Sequence, residues 1–196
     1  YRNYRQKRKA NDTLKEKNDL IEEQKKHVEE KNKDITDSIN YAKRIQLALL
    51  KEQKHVSQHL PAHFIFFRPK DIVAGDFYWA AEKQDHLYLT AADCTGHGVP
   101  GAFLTMLGVA FLNEINATND LLTPAQILDK LRSRFIQELS QTGAEGESKD
   151  GMDISLMRLN LKTNEMHWAG ANNPLWILKV KQEKSEIGDQ KSKNMN

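Results

Sequence analysis

No proline or glycine occurs between Tyr1 and Glu52. A stretch of that length free of both breakers has few alternatives to one continuous helix. Lys, Glu, Asn and Gln dominate it, yet apolar side chains recur at every seventh position: Leu14, Ile21, Val28, Ile35, Ala42 and Leu49. With these at d, the a positions are Asn11, Asn18, Lys25, Asn32, Ile39 and Gln46. A sustained heptad with apolar d predicts a coiled coil, and Asn at a costs stability while favouring two parallel, aligned strands. The expectation is a signalling or connector helix over residues 1–55 that makes a homodimer with a seam able to shift. The competing reading is a solvated single helix. At its start, Arg2, Arg5, Lys7, Arg8 and Lys9 surround Tyr1 and Tyr4. Such a cluster fits a segment just inside a membrane, and equally an ordinary helix start or a nucleic-acid patch.

Beyond residue 60 the periodicity changes. His63–Arg68, Ile72–Ala80 and His86–Ala92 read as strands, bounded by Pro61, Pro69 and Lys83-Gln84-Asp85. Helices are expected over residues 100–117 and 123–141, the second opened by Thr123 as N-cap and Pro124 at N1. Met152–Asn160, Glu165–Ala171 and Leu175–Val180 follow as strands, the first two joined at Lys162-Thr163-Asn164. Strands, two helices, then strands again predict an α+β domain, and Lys181–Asn196 reads as a disordered tail. A formal charge of +2 gives no reason to expect a nucleic-acid partner. One cysteine excludes a disulfide framework and suits a reducing compartment. No apolar run reads as long enough to cross a membrane, and no secretory signal is present.

The chemistry concentrates in two short stretches. Asp76 closes the apolar run Ile72-Val73-Ala74-Gly75, and Asp93 closes Leu87–Ala92. Gly96, Gly98, Pro100 and Gly101 then lead into a helix-like segment, Ala102–Leu112. Two acids at strand ends beside such a turn offer hard oxygen donors to Mg²⁺ or Mn²⁺. The amides of the turn and helix start offer a place for an anion. A cation site beside an anion site predicts phosphoryl chemistry.

Several rival motifs are weaker. Gly96, Gly98 and Gly101 spell a dinucleotide fingerprint, but a second helix follows the first with no strand between, so no βαβ unit forms. Cys94 lacks the downstream arginine of a cysteine phosphatase and reads as a small buried residue. Asp150 and Asp153 are set aside as ligands, Asp153 because it falls inside a strand pattern. His97 between its glycines could donate a proton to a leaving group, but reads more simply as packing at the helix start. His55, His59 and His63 have helical spacing, but Pro61 interrupts it, which argues against a zinc site.

Arg68–Trp79, Ala92–Ala102 and Trp168–Trp176, in that order, resemble the SpoIIE-type branch of the metal-dependent (PPM, protein phosphatase 2C-like) protein phosphatases. The resemblance covers residues 60–180 and implies a two-sheet β-sandwich flanked by helices. It implies two Mn²⁺ or Mg²⁺ ions as cofactors, with Asp76 and Asp93 as ligands and catalytic residues. The backbone carbonyl of Cys94 stands where the family uses a glycine carbonyl. Arg68 or Lys70, with Gly96, His97 and Gly98, would meet the phosphate. The implied reaction is hydrolysis of phosphoserine or phosphothreonine on a regulatory protein, such as an anti-sigma factor antagonist, without a covalent enzyme intermediate. Asp37–Leu50 is similar to the connector helix before such domains, which implies an upstream sensor or transmembrane segment and a cytoplasmic location. The family's later acid motifs do not occur before Asn196, so a C-terminally incomplete, inactive domain is expected. The alternative from another class is a degenerate, dimeric interaction module without catalysis.

Overall fold

The segment without breakers forms helix α1, Arg2–Leu49. The computed structural model of the chain describes residues 2–50, 54–60, 63–142, 144 and 150–178. Along most of α1 every side chain faces solvent; Leu14, Ile21, Val28 and Ile35 are more than half exposed. The last two turns differ. Ile39 and Ala42 are half-buried, while Gln46 and Leu50 are buried against the folded domain. The expected seam is thus open to a partner over its first four heptads and partly covered by the chain's own domain from Ile39 to Gln46, while Leu49 stays exposed. The chain bends at Leu50, short of the expected residue 55, and a six-residue helix α2, Lys54–His59, follows.

The sheet has four antiparallel strands in the order β1-β2-β3-β4: Asp76–Lys83, His86–Cys94, Met152–Asn160 and Met166–Ala171. Between β2 and β3 the chain makes helices α3, Gly98–Ala117, and α4, Pro124–Glu138. Alternation sends Phe77, Trp79, Tyr88, Ile154 and Leu156 to the face on which both helices pack. Leu104, Val109 and Leu112 of α3 and Ile127, Leu131 and Phe135 of α4 complete that core. Each fully buried aliphatic side chain stabilises the fold by roughly 1.5–3 kcal/mol relative to exposure. Gly108 lets α3 approach the sheet: a Cβ there would lie 3.0 Å from the Phe77 ring. The expected cap on α4 is present, Thr123 and Gln126 making a reciprocal capping box with Pro124 behind it.

The α+β expectation stands, and one sheet of the expected sandwich lies among the described residues. Some boundaries differ. Residues 63–68 form no strand; Pro61 and Pro69 bracket them, Phe64 and Phe66 point into solvent, and Phe67 packs edge-on against Tyr78. The strand expected over Ile72–Ala80 begins only at Asp76 and runs on to Lys83, because Val73 and Ala74 are buried beneath α1 and α3 instead of paired. Residues 175–178 are likewise not a strand, and the expected tail at 181–196 lies outside the described residues. Contrary to the sequence reading, α3 is long and apolar enough to cross a membrane by length and composition. Half of it is buried in this domain, where it is the central core helix.

Candidate metal and phosphate site

Because β1 opens where β2 closes, Asp76 and Asp93 face each other as register partners at the same end of the sheet. Both point to the face opposite α3 and α4, away from the apolar core. Their side chains are near enough for each carboxyl to act on the other's proton. Burial, followed by the bond to Asp93 and its charge, raises the Asp76 carboxyl above the usual carboxylate range. Two acids that compete for one proton suit a divalent cation, which removes the repulsion and takes oxygen donors of this hardness. The donor chemistry fits the implied Mn²⁺ or Mg²⁺.

The next strand adds a third acid. Asp153 of β3 is the register partner of Asp93 and lines the same cleft, about 490 Å³ in volume. Asn172 Nδ2 donates to its Oδ2 at 2.9 Å. The sequence reading set Asp153 aside for lying in a strand. The strand is what delivers it, since antiparallel register carries one row of side chains across neighbouring strands. Among the described residues, no three Asp, Glu, His or Cys side chains converge closely enough to hold one ion. Asp150 lies outside the cleft; its carbonyl accepts from Gln141 Nε2 at 2.7 Å.

The floor of the cleft is backbone. Gly96 and Gly98 take φ of +84° and +64°, the left-handed region that glycine enters without strain. Gly75 and Gly101 are required by close approach: a Cβ on either would stand 2.8 or 2.7 Å from the Gly96 carbonyl oxygen. The same test puts the Cys94 carbonyl 3.3 Å from a Gly75 Cβ, and the Cys94 amide donates to the Gly75 carbonyl at 3.3 Å. The Cys94 side chain points into the core and is buried; desolvation drives its thiol to about 12, so it is no nucleophile.

His97 is the N-cap residue of α3 but caps nothing with its side chain, leaving the first-turn amides open at the cleft. Rather than packing at the helix start as expected, the imidazole is exposed, with Nδ1 2.7 Å from Asp71 Oδ2. Asp71 was not singled out in the sequence; an acid 26 residues away gives no local signal. Lys70 lines the cleft, whereas Arg68 does not. The three histidines once considered for zinc do not converge: His59 pairs with Glu82 at 3.3 Å and His63 with the Leu60 carbonyl, while the His55 side chain is outside the described set.

The family model for SpoIIE, Stage II sporulation protein E, matches residues 83–194. Asp93, the glycine turn and Asp153 fall inside that span, as does most of the expected tail; Arg68, Lys70 and Asp76 precede it. No curated protein matches the sequence. Among solved structures, the SiaA-PP2C domain of Pseudomonas aeruginosa is 35% identical, with a TM-score of 0.61. The match covers 71% of this chain and 55% of that one, so the chain spans about half of its solved relative. A Stage II sporulation E family protein from Thermanaerovibrio acidaminovorans is 16% identical at a TM-score of 0.38, over 47% of this chain and 42% of that one. That second likeness is too low to carry an argument. Family model and first structural match agree: the chain belongs to the SpoIIE family, with the α+β fold of the PP2C-like phosphatases.

Proposed function

We propose that this chain carries the metal- and phosphate-binding part of a protein serine/threonine phosphatase acting on a phosphorylated regulatory protein, such as an anti-sigma factor antagonist. The observation that carries the reading is the register pair Asp76–Asp93, both lining one cleft beside the uncapped amino end of α3. Asp76 and Asp93, with the Cys94 carbonyl, would hold Mn²⁺ or Mg²⁺. Bound ions of this kind supply a water of lowered pKa and neutralise phosphoryl charge.

The chain's own groups account for the rest. The open amides of α3 and the turn at Gly96 and Gly98 receive phosphate oxygens, with the helix dipole aligned to favour negative charge. Lys70, at the cleft wall, adds a point charge to the phosphate; Arg68, outside the cleft, does not. Asp71 holds His97 through Nδ1, which orients the ring so that Nε2 can serve as proton donor to the departing serine or threonine oxygen. The same reading includes a second copy of the chain on α1 and a location at the cytoplasmic face of a membrane-anchored sensor.

The test is substrate preference in the protein as its gene encodes it, purified and assayed with Mn²⁺. Phosphoserine proteins are expected to react much faster than free nucleotides or sugar phosphates, and the reverse preference would defeat the reading. A second reading, a dimeric interaction module without catalysis, is favoured by the lack of three converging acids among the described residues. It predicts that the protein binds its phosphorylated partner and never dephosphorylates it with either metal.

A further inference from the structure

Gln46 is the buried residue of helix α1, 2% exposed, on a helix that is otherwise solvated for most of its length. In the heptad it occupies an a position, where a glutamine has no obvious use. The structure supplies one. Gln46 Nε2 donates to the Ala74 carbonyl at 2.7 Å, and the Ala74 amide donates back to Gln46 Oε1 at 2.9 Å. The side-chain amide therefore acts on Ala74 as a neighbouring strand would, satisfying both backbone groups of a buried residue that belongs to no strand.

Ala74 is two residues from Asp76. The Ala74–Gly75 segment is held from three sides: by Gln46 of α1, by Thr105 Oγ1 of α3, which donates to the Gly75 carbonyl at 2.6 Å, and by the Cys94 amide of β2. The last two lie on elements that also carry the cleft. Among the described residues, Gln46 makes the hydrogen bonds that tie this segment to the long helix. Only glutamine makes both bonds from that distance: asparagine is one methylene shorter, and glutamate cannot donate to the carbonyl.

We infer that Gln46 is a positioning residue for the candidate metal site, fixing the main chain of Ala74 and Gly75 so that Asp76 meets Asp93. This rests on the reading of Asp76 as a metal ligand. It adds that the end of α1 is part of the support for that ligand, so a helix displaced at Gln46 releases the Asp76 side of the cleft. Partners that orient a ligand typically contribute 10–100-fold in metal affinity.

The experiment measures Mn²⁺ binding to the full 196-residue chain by electron paramagnetic resonance of the free ion, together with amide exchange at Ala74. Gln46→Met keeps the length of the side chain and its burial but removes both bonds. It is expected to expose the Ala74 amide to exchange and to weaken Mn²⁺ binding by about tenfold or more. Gln46→Glu turns a carboxylate oxygen against the Ala74 carbonyl and is expected to weaken Mn²⁺ binding at least as much as Gln46→Met; it serves alone should the Met variant not fold. Leu50→Ala, which loosens the same docking without touching the clamp, is expected to lower the melting temperature and leave Mn²⁺ affinity unchanged. Affinity within twofold of the parent in a folded Gln46→Met chain would overturn the inference, as would equal weakening by Leu50→Ala. Asp76→Asn is run alongside: if it too retains full affinity, the assignment of the metal site fails and the inference with it. If it abolishes binding while Gln46→Met does not, the inference alone fails.

Discussion

His97 and Asp71 show how the site depends on single side chains. The imidazole is anchored through Nδ1 and otherwise exposed, an arrangement that orients Nε2 at little cost in solvation. His97→Gln in the full-length protein is expected to lower kcat on phosphoserine substrates by about 100-fold, the low end for a positioned acid. On an aryl phosphate, whose leaving group needs no proton, the loss should be slight; equal losses on both substrates would remove His97 from that role. Asp76 makes a second, thermodynamic prediction. Its carboxyl is raised in the folded chain, so its contribution to stability is complete below the ordinary carboxylate pKa and is lost as pH rises through the raised value. In the metal-free chain that contribution should therefore fade as pH climbs from about 4 towards neutrality. Asp93→Asn removes the repulsion and leaves only the burial contribution. It should stabilise the metal-free chain at pH 7 by up to about 1 kcal/mol, since both groups keep contact with solvent. Thermal melts of the two chains with a chelator present decide this, and a less stable variant would contradict it. Cys94, buried with its thiol near 12, should resist alkylation at pH 8 until the chain unfolds. The pair Asp76 and Asp93 was legible in the sequence because each ends a recognisable motif. Asp71 and Asp153 were not, because the contacts that recruit them are made by tertiary approach and strand register.

Among the elements, α1 divides at Ile39. Up to that point its apolar d residues are exposed on one stripe, and beyond it the chain's own domain takes up Ile39, Ala42 and Gln46 of that stripe and leaves Leu49 exposed. The proposed parallel dimer therefore uses Asn11 to Ile35, a shorter seam than the heptad pattern alone implied. Ile21→Asp with Val28→Asp should leave a monomer by sedimentation at tens of micromolar (roughly, for a modest coil) while the domain keeps its melting transition. A parent chain that is already monomeric under those conditions would refute the dimer. Helix and strand positions in the domain were largely legible, because β2, α3, α4 and β3 carry strong periodicity or capping signals. Residues 63–68 misled because alternating Phe and Ile mimic a strand, yet strand formation requires a partner, and sequence alternation cannot supply one. Asp76 was misplaced within its element for a related reason. The apolar run before it is buried by α1 and α3 instead of by a sheet neighbour.

For the molecule as a whole, one face of the sheet is packed on α3 and α4, and the other presents three aspartates in a row across β1, β2 and β3 at one end. The helix α1 reaches that end through Gln46 and extends its solvated length away from it. The fold was accessible from sequence at the level of class and family, since the motifs are local. The way α1 docks was not, because Gln46 looks like any polar heptad residue until Ala74 is beside it. The proposed reaction stands on one assignment, that Asp76 and Asp93 hold the divalent ions it requires. It is tested most directly by turnover of a phosphoserine protein with Mn²⁺, comparing the full-length protein with its Asp93→Asn variant. The substitution keeps the size of the side chain and removes its charge. The variant is expected to fold, with turnover reduced to background and Mn²⁺ affinity sharply weakened. Unchanged turnover by the Asp93→Asn protein would contradict it.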